Sequence, residues 1–140
     1  MQGGRHRIAP TIDFFLDSVV QICYNEDMDV RSKIWLEIDG EPVFGSGRKA
    51  LLDSIEKLGS INKAAKDTKL SYRKALSYIQ NMESRLGKSL VERHAGGRNG
   101  GGASLTEEAR HLLSKYEKLE RGINELLDLR FLEVFGNGKK

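Results

Sequence analysis

SINKAAKDTKLSYRKALSYIQNMESRLGKSLVERHAGGRNGGGASLT, residues 60–106, decides how the rest of this chain is read. Ser60 is placed to cap a short helix that turns Ile61, Ala64 and Ala65 inward and ends near Thr68. Ser71 can cap a second helix, along which Ala75, Ile79, Met82 and Leu86 recur at helical spacing before Gly87. That stripe leaves Arg73, Ser77, Gln80, Asn81 and Ser84 on the opposite face. Leu90-Val91 and residues 103–105 then read as two short strands around HAGGRNGGG, the tip of a hairpin. Two helices in tandem followed by a glycine-tipped hairpin form the pattern of a winged helix-turn-helix. The charge fits a nucleic-acid partner: residues 60–104 hold nine lysines and arginines against three acids, a net of +6. Residues 1–59 stand at −3 and residues 105–140 at zero, so the positive charge is concentrated in this one segment.

Upstream, residues 33–39 (KIWLEID) alternate apolar Ile34, Leu36 and Ile38 with polar neighbours, the pattern of a half-buried strand. Asp39-Gly40 is a turn signal, residues 42–44 supply a short returning strand, and Gly45-Ser46-Gly47 ends it. A helix over 48–58 follows, with Leu51, Leu52, Ile55 and Leu58 on one face and Gly59 as its stop. Ile12, Phe15, Val19 and Ile22 predict a short amphipathic helix over 11–24, after a polar stretch expected to be poorly ordered. Residues 25–31 read as a charged connector, within which Met28 offers a second start.

Downstream, Thr106 caps a last helix whose first turn carries Glu107 and Glu108, well placed for the helix dipole. Ala109, Leu112, Tyr116, Leu119, Ile123 and Leu126 follow 3-4 spacing. Two readings fit this seam: packing on the chain's own core, or pairing with the same helix of a second subunit. The second is favoured, with Leu112, Tyr116, Leu119, Ile123 and Leu126 as the dimer interface. Gly122 weakens the helix interior by about 1 kcal/mol, which argues against a long rigid coiled coil. The expected architecture is mainly α with a small β-wing. Residues 1–32 form an N-terminal extension with a short helix, 33–105 a winged helix-turn-helix DNA-binding domain, and 106–140 a dimerisation helix with a disordered tail.

Composition narrows the class. With 39% hydrophobic and 31% charged residues in 140, the chain reads as one ordinary globular domain. A single cysteine, Cys23, excludes an internal disulfide and suits a reducing compartment. No run approaches the roughly 18 apolar residues of a membrane span, and Asp13 and Asp17 interrupt the run that resembles a signal peptide. A cytoplasmic protein with no membrane contact is expected. His6, His94 and His111 lack metal-ligand spacing among themselves or with Cys23, and no serine sits in a nucleophile elbow. No enzyme activity, cofactor or metal is therefore expected. The glycine run lacks the Gly-Lys-Ser/Thr that would make it a phosphate loop.

Reading duplex DNA needs a helix with a polar outer face whose N-terminal residues reach base edges. In that role Arg73 can pair with guanine, and Asn81 or Gln80 with adenine. Ser71, Tyr72, Lys74 and Ser77 are placed for phosphates, with Ser60, Lys63, Lys66 and Lys69 on the preceding helix and turn. Arg98 at the hairpin tip can enter the minor groove, with Arg93 and Asn99 beside it.

Three pieces of the chain carry a resemblance: GSI-x-x-AAK, SYR-x-A-x-x-x-I-x-x-M, and LVER-x-x-GG-R-x-GGG-A-x-LT. Over roughly residues 33–132 the sequence resembles the N-terminal DNA-binding domain of the ModE family of molybdate-responsive regulators, a winged helix-turn-helix related to the LysR type. The resemblance implies a homodimer on a pseudo-palindromic operator, with residues 71–81 in the major groove and 96–102 as the wing. Asn99 stands where that wing commonly has glycine. Members of the family carry C-terminal β-barrels that bind the oxyanion, and no such segment follows here. DNA binding is thus implied without an oxyanion site, and a separate oxyanion-sensing protein is a candidate partner. The rival readings are a winged-helix protein-interaction adaptor and a stand-alone oxyanion-responsive regulator.

Overall fold

The chain runs β1 (His6–Arg7), β2 (Asp29–Val30), β3 (Trp35–Ile38), β4 (Glu41–Gly45), α1 (Ser46–Leu58), α2 (Ile61–Asp67), α3 (Tyr72–Leu86), β5 (Val91–His94), β6 (Gly102–Leu105) and α4 (Glu107–Phe135). This is a computed structural model, and it describes residues 6–7, 28–95 and 101–136. The predicted helix over 11–24, Cys23, Arg98, Asn99 and the tail after residue 136 lie outside the described residues.

The strands pair as three antiparallel ribbons, β1 with β2, β3 with β4, and β5 with β6. The first ribbon was not legible in the sequence, where residues 1–10 and 25–31 carry no strand pattern. In the second, Asp39 and Gly40 both take positive φ (53° and 79°), the tight turn that their residue types favour. The returning strand ends at Gly45 as expected, but the helix starts at Ser46 rather than at residue 48. Gly45 is at once the last residue of β4, opposite Trp35, and the extended residue from which α1 departs, so Ser46 and Gly47 already lie in the helix.

Ile34–Glu117 forms one unit, and the described residues on either side belong to a second. Phe44, Leu51, Leu52, Ile55, Ile61, Ala64, Ala65, Ala75, Ile79, Met82, Leu90, Ala103 and Leu105 make the core of the first unit. Ala109, Leu113 and Tyr116 of α4 complete it. Leu58, at the end of α1, is exposed rather than inward. Tyr116 meets the Phe44 ring edge-on at 5.1 Å and donates its hydroxyl to the Ile34 carbonyl at 2.7 Å. The first turns of α4 are therefore structural parts of the unit, which extends past the boundary expected at residue 105.

This corrects the reading of the α4 seam. Tyr116, assigned to a dimer interface, is 1% exposed within its own chain, and Leu112 is partly buried against the same core. The seam lies on one helix, α4, and tertiary packing uses its first half internally. Leu119, Ile123 and Leu126 remain exposed. In the second unit, the Ser32 hydroxyl donates to Asn124 at 2.6 Å, and Phe131 is buried with its ring 5.1 Å from that of Phe135.

Lys49 joins α1 to α4: its ammonium lies 2.8 Å from Asp53 and 3.2 Å from Glu117. Burial opposes its charge, but hydrogen bonds to both carboxylates and their charges outweigh this and hold its pKa above 10.5. A pKa raised by folding contributes stability that is complete below the unfolded value and lost as pH rises through the folded one. Wild type should exceed Lys49→Met by about 0.5–1 kcal/mol, since both carboxylates are half in water. Urea denaturation should give a constant difference at neutral pH that shrinks only above pH 10.5.

Candidate nucleic-acid interface

α2 and α3 are built by local chemistry. The Ser60 hydroxyl oxygen accepts from the Lys63 N–H at 3.1 Å, and that of Ser71 from the Lys74 N–H at 3.0 Å. Each serine thereby starts its helix, and its own O–H remains available to donate outward. Between the helices, Lys69 takes a left-handed φ of 62°. The Lys69 N–H bonds the Lys66 carbonyl and the Leu70 N–H bonds that of Ala65, while Leu70 packs on the core. This is the two-bond helix stop usually made with glycine at the left-handed position. Lys69 there keeps a cation in the turn.

With Ala75, Ile79 and Met82 buried, Tyr72, Arg73, Lys74, Ser77, Gln80 and Asn81 are exposed along α3. Lys63, Lys66 and Lys69 are exposed on α2 and the turn, and Arg93 on β5. Among the described residues none of these cations makes an ion pair, whereas Lys49, Arg85, Arg110 and Arg130 all do. Arg110 is held above its ordinary pKa by its hydrogen bond with Glu56, the charge of Glu56 adding to it.

Two of the segment's three acids are engaged by donors within the fold. Asp67 accepts from the buried Ser54 hydroxyl at 2.7 Å, tying α2 to α1. One carboxylate oxygen of Glu83 accepts from the backbone N–H groups of both Leu90 and Val91, at 2.8 and 3.1 Å. The result is a face whose cations are not neutralised by their own neighbours. Such a face suits polyphosphate, and its attraction falls with salt.

The wing is anchored at its base. The Ala103 N–H bonds the Gly59 carbonyl at 2.9 Å, the Thr106 N–H that of Leu90 at 2.9 Å, and the Thr106 hydroxyl donates to the Ser89 carbonyl at 2.8 Å. The same hydroxyl oxygen accepts from the Ala109 N–H at 3.2 Å, capping α4 as expected. A side chain at Gly101 would collide with the His94 carbonyl, so the neck of the hairpin admits only glycine. Arg93 lies on this ribbon beside α3's unit, while the expected tip contacts, Arg98 and Asn99, fall outside the described residues.

Glu83 is a side chain whose structural contacts sequence reasoning missed, because nothing in its neighbourhood signals a contact seven residues on. Tyr78 is another: it lies half-buried, one helical turn after Lys74, with the Lys74 ammonium 5.4 Å and the Arg48 guanidinium 4.6 Å from its ring centre. Its spacing from Lys74 was readable, but the approach of Arg48 from α1 was not. Among the described residues no group of three or more His, Cys, Asp or Glu could hold a metal ion, and no helix is long and apolar enough to cross a membrane.

A two-helix unit capped in this way, with its basic face turned outward and a ribbon beside it, is a winged helix-turn-helix. Residues 50–110 match the family model described as a bacterial regulatory helix-turn-helix protein of the LysR family. The chain is 46% identical over 74 residues to the transcriptional regulator ModE of Haemophilus influenzae, covering 53% of the chain and 29% of that protein. It is 39% identical over 97 residues to the molybdenum transport protein ModE of Azotobacter vinelandii, covering 69% and 36%. With the DNA-binding transcriptional dual regulator ModE of Escherichia coli K12 it shares 42% over 72 residues, covering 51% and 28%. The chain thus spans 28–36% of these relatives' lengths, and its residues 50–110 are similar to the LysR-type helix-turn-helix.

Replacing Glu83 with Ala should expose the cost of the wing anchor. Two part-buried N–H groups lose their acceptor, worth about 1–3 kcal/mol of stability. Hydrogen exchange should accelerate at the Leu90 and Val91 amides, while the α2 amides stay protected.

Proposed function

We propose that this chain is a DNA-binding transcriptional regulator that acts as a homodimer, with α3 as the helix that enters the major groove. The observation that carries the reading is the outer face of α3, where Tyr72, Arg73, Lys74, Ser77 and Asn81 are exposed and the cations have no acidic partner among the described residues. In this reading Arg73 pairs with a guanine edge and Asn81 with adenine. Ser60, Lys63, Lys69, Ser71, Tyr72, Lys74 and Ser77 hold phosphates, and Arg93 with the hairpin tip follows the adjacent groove. The relatives' names support regulation of transcription as the outcome of that binding. A separate oxyanion-sensing protein remains the proposed source of any molybdenum signal.

Arg73→Ala should weaken binding to a selected operator by about 1–3 kcal/mol and relax base preference, with random duplex much less affected. Equal affinities of wild type and variant for both duplexes would remove Arg73 from base reading. Absence of any mobility shift at low salt would favour a protein-binding adaptor instead.

Dimerisation is supported by the exposed second half of the α4 seam: Leu119, Ile123 and Leu126 lie on one stripe and are 43%, 39% and 56% exposed. Substituting both Ile123 and Leu126 with Lys should convert a dimer into a monomer in sedimentation equilibrium, with folding retained because neither side chain is in the core. An unchanged dimer would place the interface elsewhere.

A further inference from the structure

We infer that Arg48, together with Lys74 and Tyr78, forms a phosphate-binding site through which α1 holds the DNA backbone beside the recognition helix. The inference rests on the DNA-binding reading above and adds to it a contact from outside the helix pair.

Arg48 sits in the first turn of α1, a helix with no acidic residue in that turn. A cation there faces the positive end of the helix dipole, so its placement does not serve the helix. Its guanidinium lies over the Tyr78 ring at 4.6 Å, and its Nε is buried without a hydrogen-bond partner. Two acids of α1 and of the strand before it are engaged by other cations, Asp53 by Lys49 and Glu41 by Arg85. Lys74 approaches the same ring at 5.4 Å and likewise has no carboxylate among the described residues.

One aromatic ring therefore collects two cations that repel each other and that no carboxylate neutralises among the described residues. Tyr78 orients the guanidinium plane by cation–π contact but accepts none of its N–H donors. An anion offering several acceptor oxygens at once satisfies what is left over, and arginine is suited to hold phosphate through two parallel bonds. The source of that phosphate is indicated by Lys74, whose own backbone N–H is capped by Ser71 in the first turn of α3. The site thus adjoins the end of α3 that carries Tyr72 and Arg73, where a phosphodiester flanks the groove being read.

The test uses fluorescence anisotropy of the full chain on a labelled random-sequence duplex, titrated with NaCl. Arg48→Gln should weaken binding about tenfold on every sequence and make the log–log salt slope shallower by about 0.9, the loss of one phosphate contact. Arg48→Lys should keep the slope, and the surface variant Lys74→Gln should also make it shallower, independently of any packing effect at Arg48. Wild-type slopes in both Arg48→Gln and Lys74→Gln, alongside an Arg73→Ala variant that has lost base preference, would overturn this site and leave the DNA-binding reading intact. Failure of wild type to bind duplex at low salt would overturn both. Calorimetry with inorganic phosphate and no DNA should give no heat; binding that Arg48→Gln abolishes would make this a free-anion site and overturn its assignment to DNA.

Discussion

Everything on the outer face of α3 depends on the burial of Ala75, Ile79 and Met82. Each is at most 2% exposed, and all three belong to one buried cluster with residues of α1, α2, β4 and Leu90. A helix has one rotational setting in which those three positions are all dry. Once that setting is taken, Arg73, Ser77 and Asn81 have no choice but to face water. The geometry of the nucleic-acid surface is in this sense a by-product of core packing. Small residues matter here too: Ala64, Ala65 and Ala75 are all but fully buried, which lets the two helices approach closely.

Electrostatics adds to what packing begins. The net charge of the whole chain is only +3, too small to single out a polyanion as partner. The local field is stronger because Asp67 and Glu83 spend their charge on internal donors while the lysines and arginines around them stay in water. Lys49 and Arg110, outside this segment, are matched to carboxylates, as is Arg85 in the last turn of α3. In the proposed DNA-binding role, a concentrated patch of this kind attracts phosphates through counterion release.

The wing is coupled to α3 rather than merely adjacent to it. Glu83 belongs to the helix and accepts from the backbone at the start of the ribbon, so the helix is tied to the base of the wing. Thr106 performs a similar service on the other strand, closing the ribbon on Ser89 and starting α4 with the same hydroxyl. The narrow neck at Gly101 leaves the hairpin no side chain with which to widen.

Much of the fold was legible because its signals are local. Ser60, Ser71, Gly59, Gly87 and Asp39-Gly40 mark ends and turns through contacts with their own neighbours, and the structure puts helix or turn boundaries at all of them. The exposed cations of α3 were legible for the same reason, since helical periodicity assigns faces. The sequence by itself thus determined which segments are helical, which face of each is apolar, and where the positive charge gathers. Only the tertiary structure decided what covers each apolar face and which charges cancel. It took Tyr116 from the α4 seam into the core, turned Glu83 onto the wing, and brought Arg48 over Tyr78 thirty residues away. Periodicity is a property of neighbours along the chain, whereas burial and charge pairing are properties of neighbours in space.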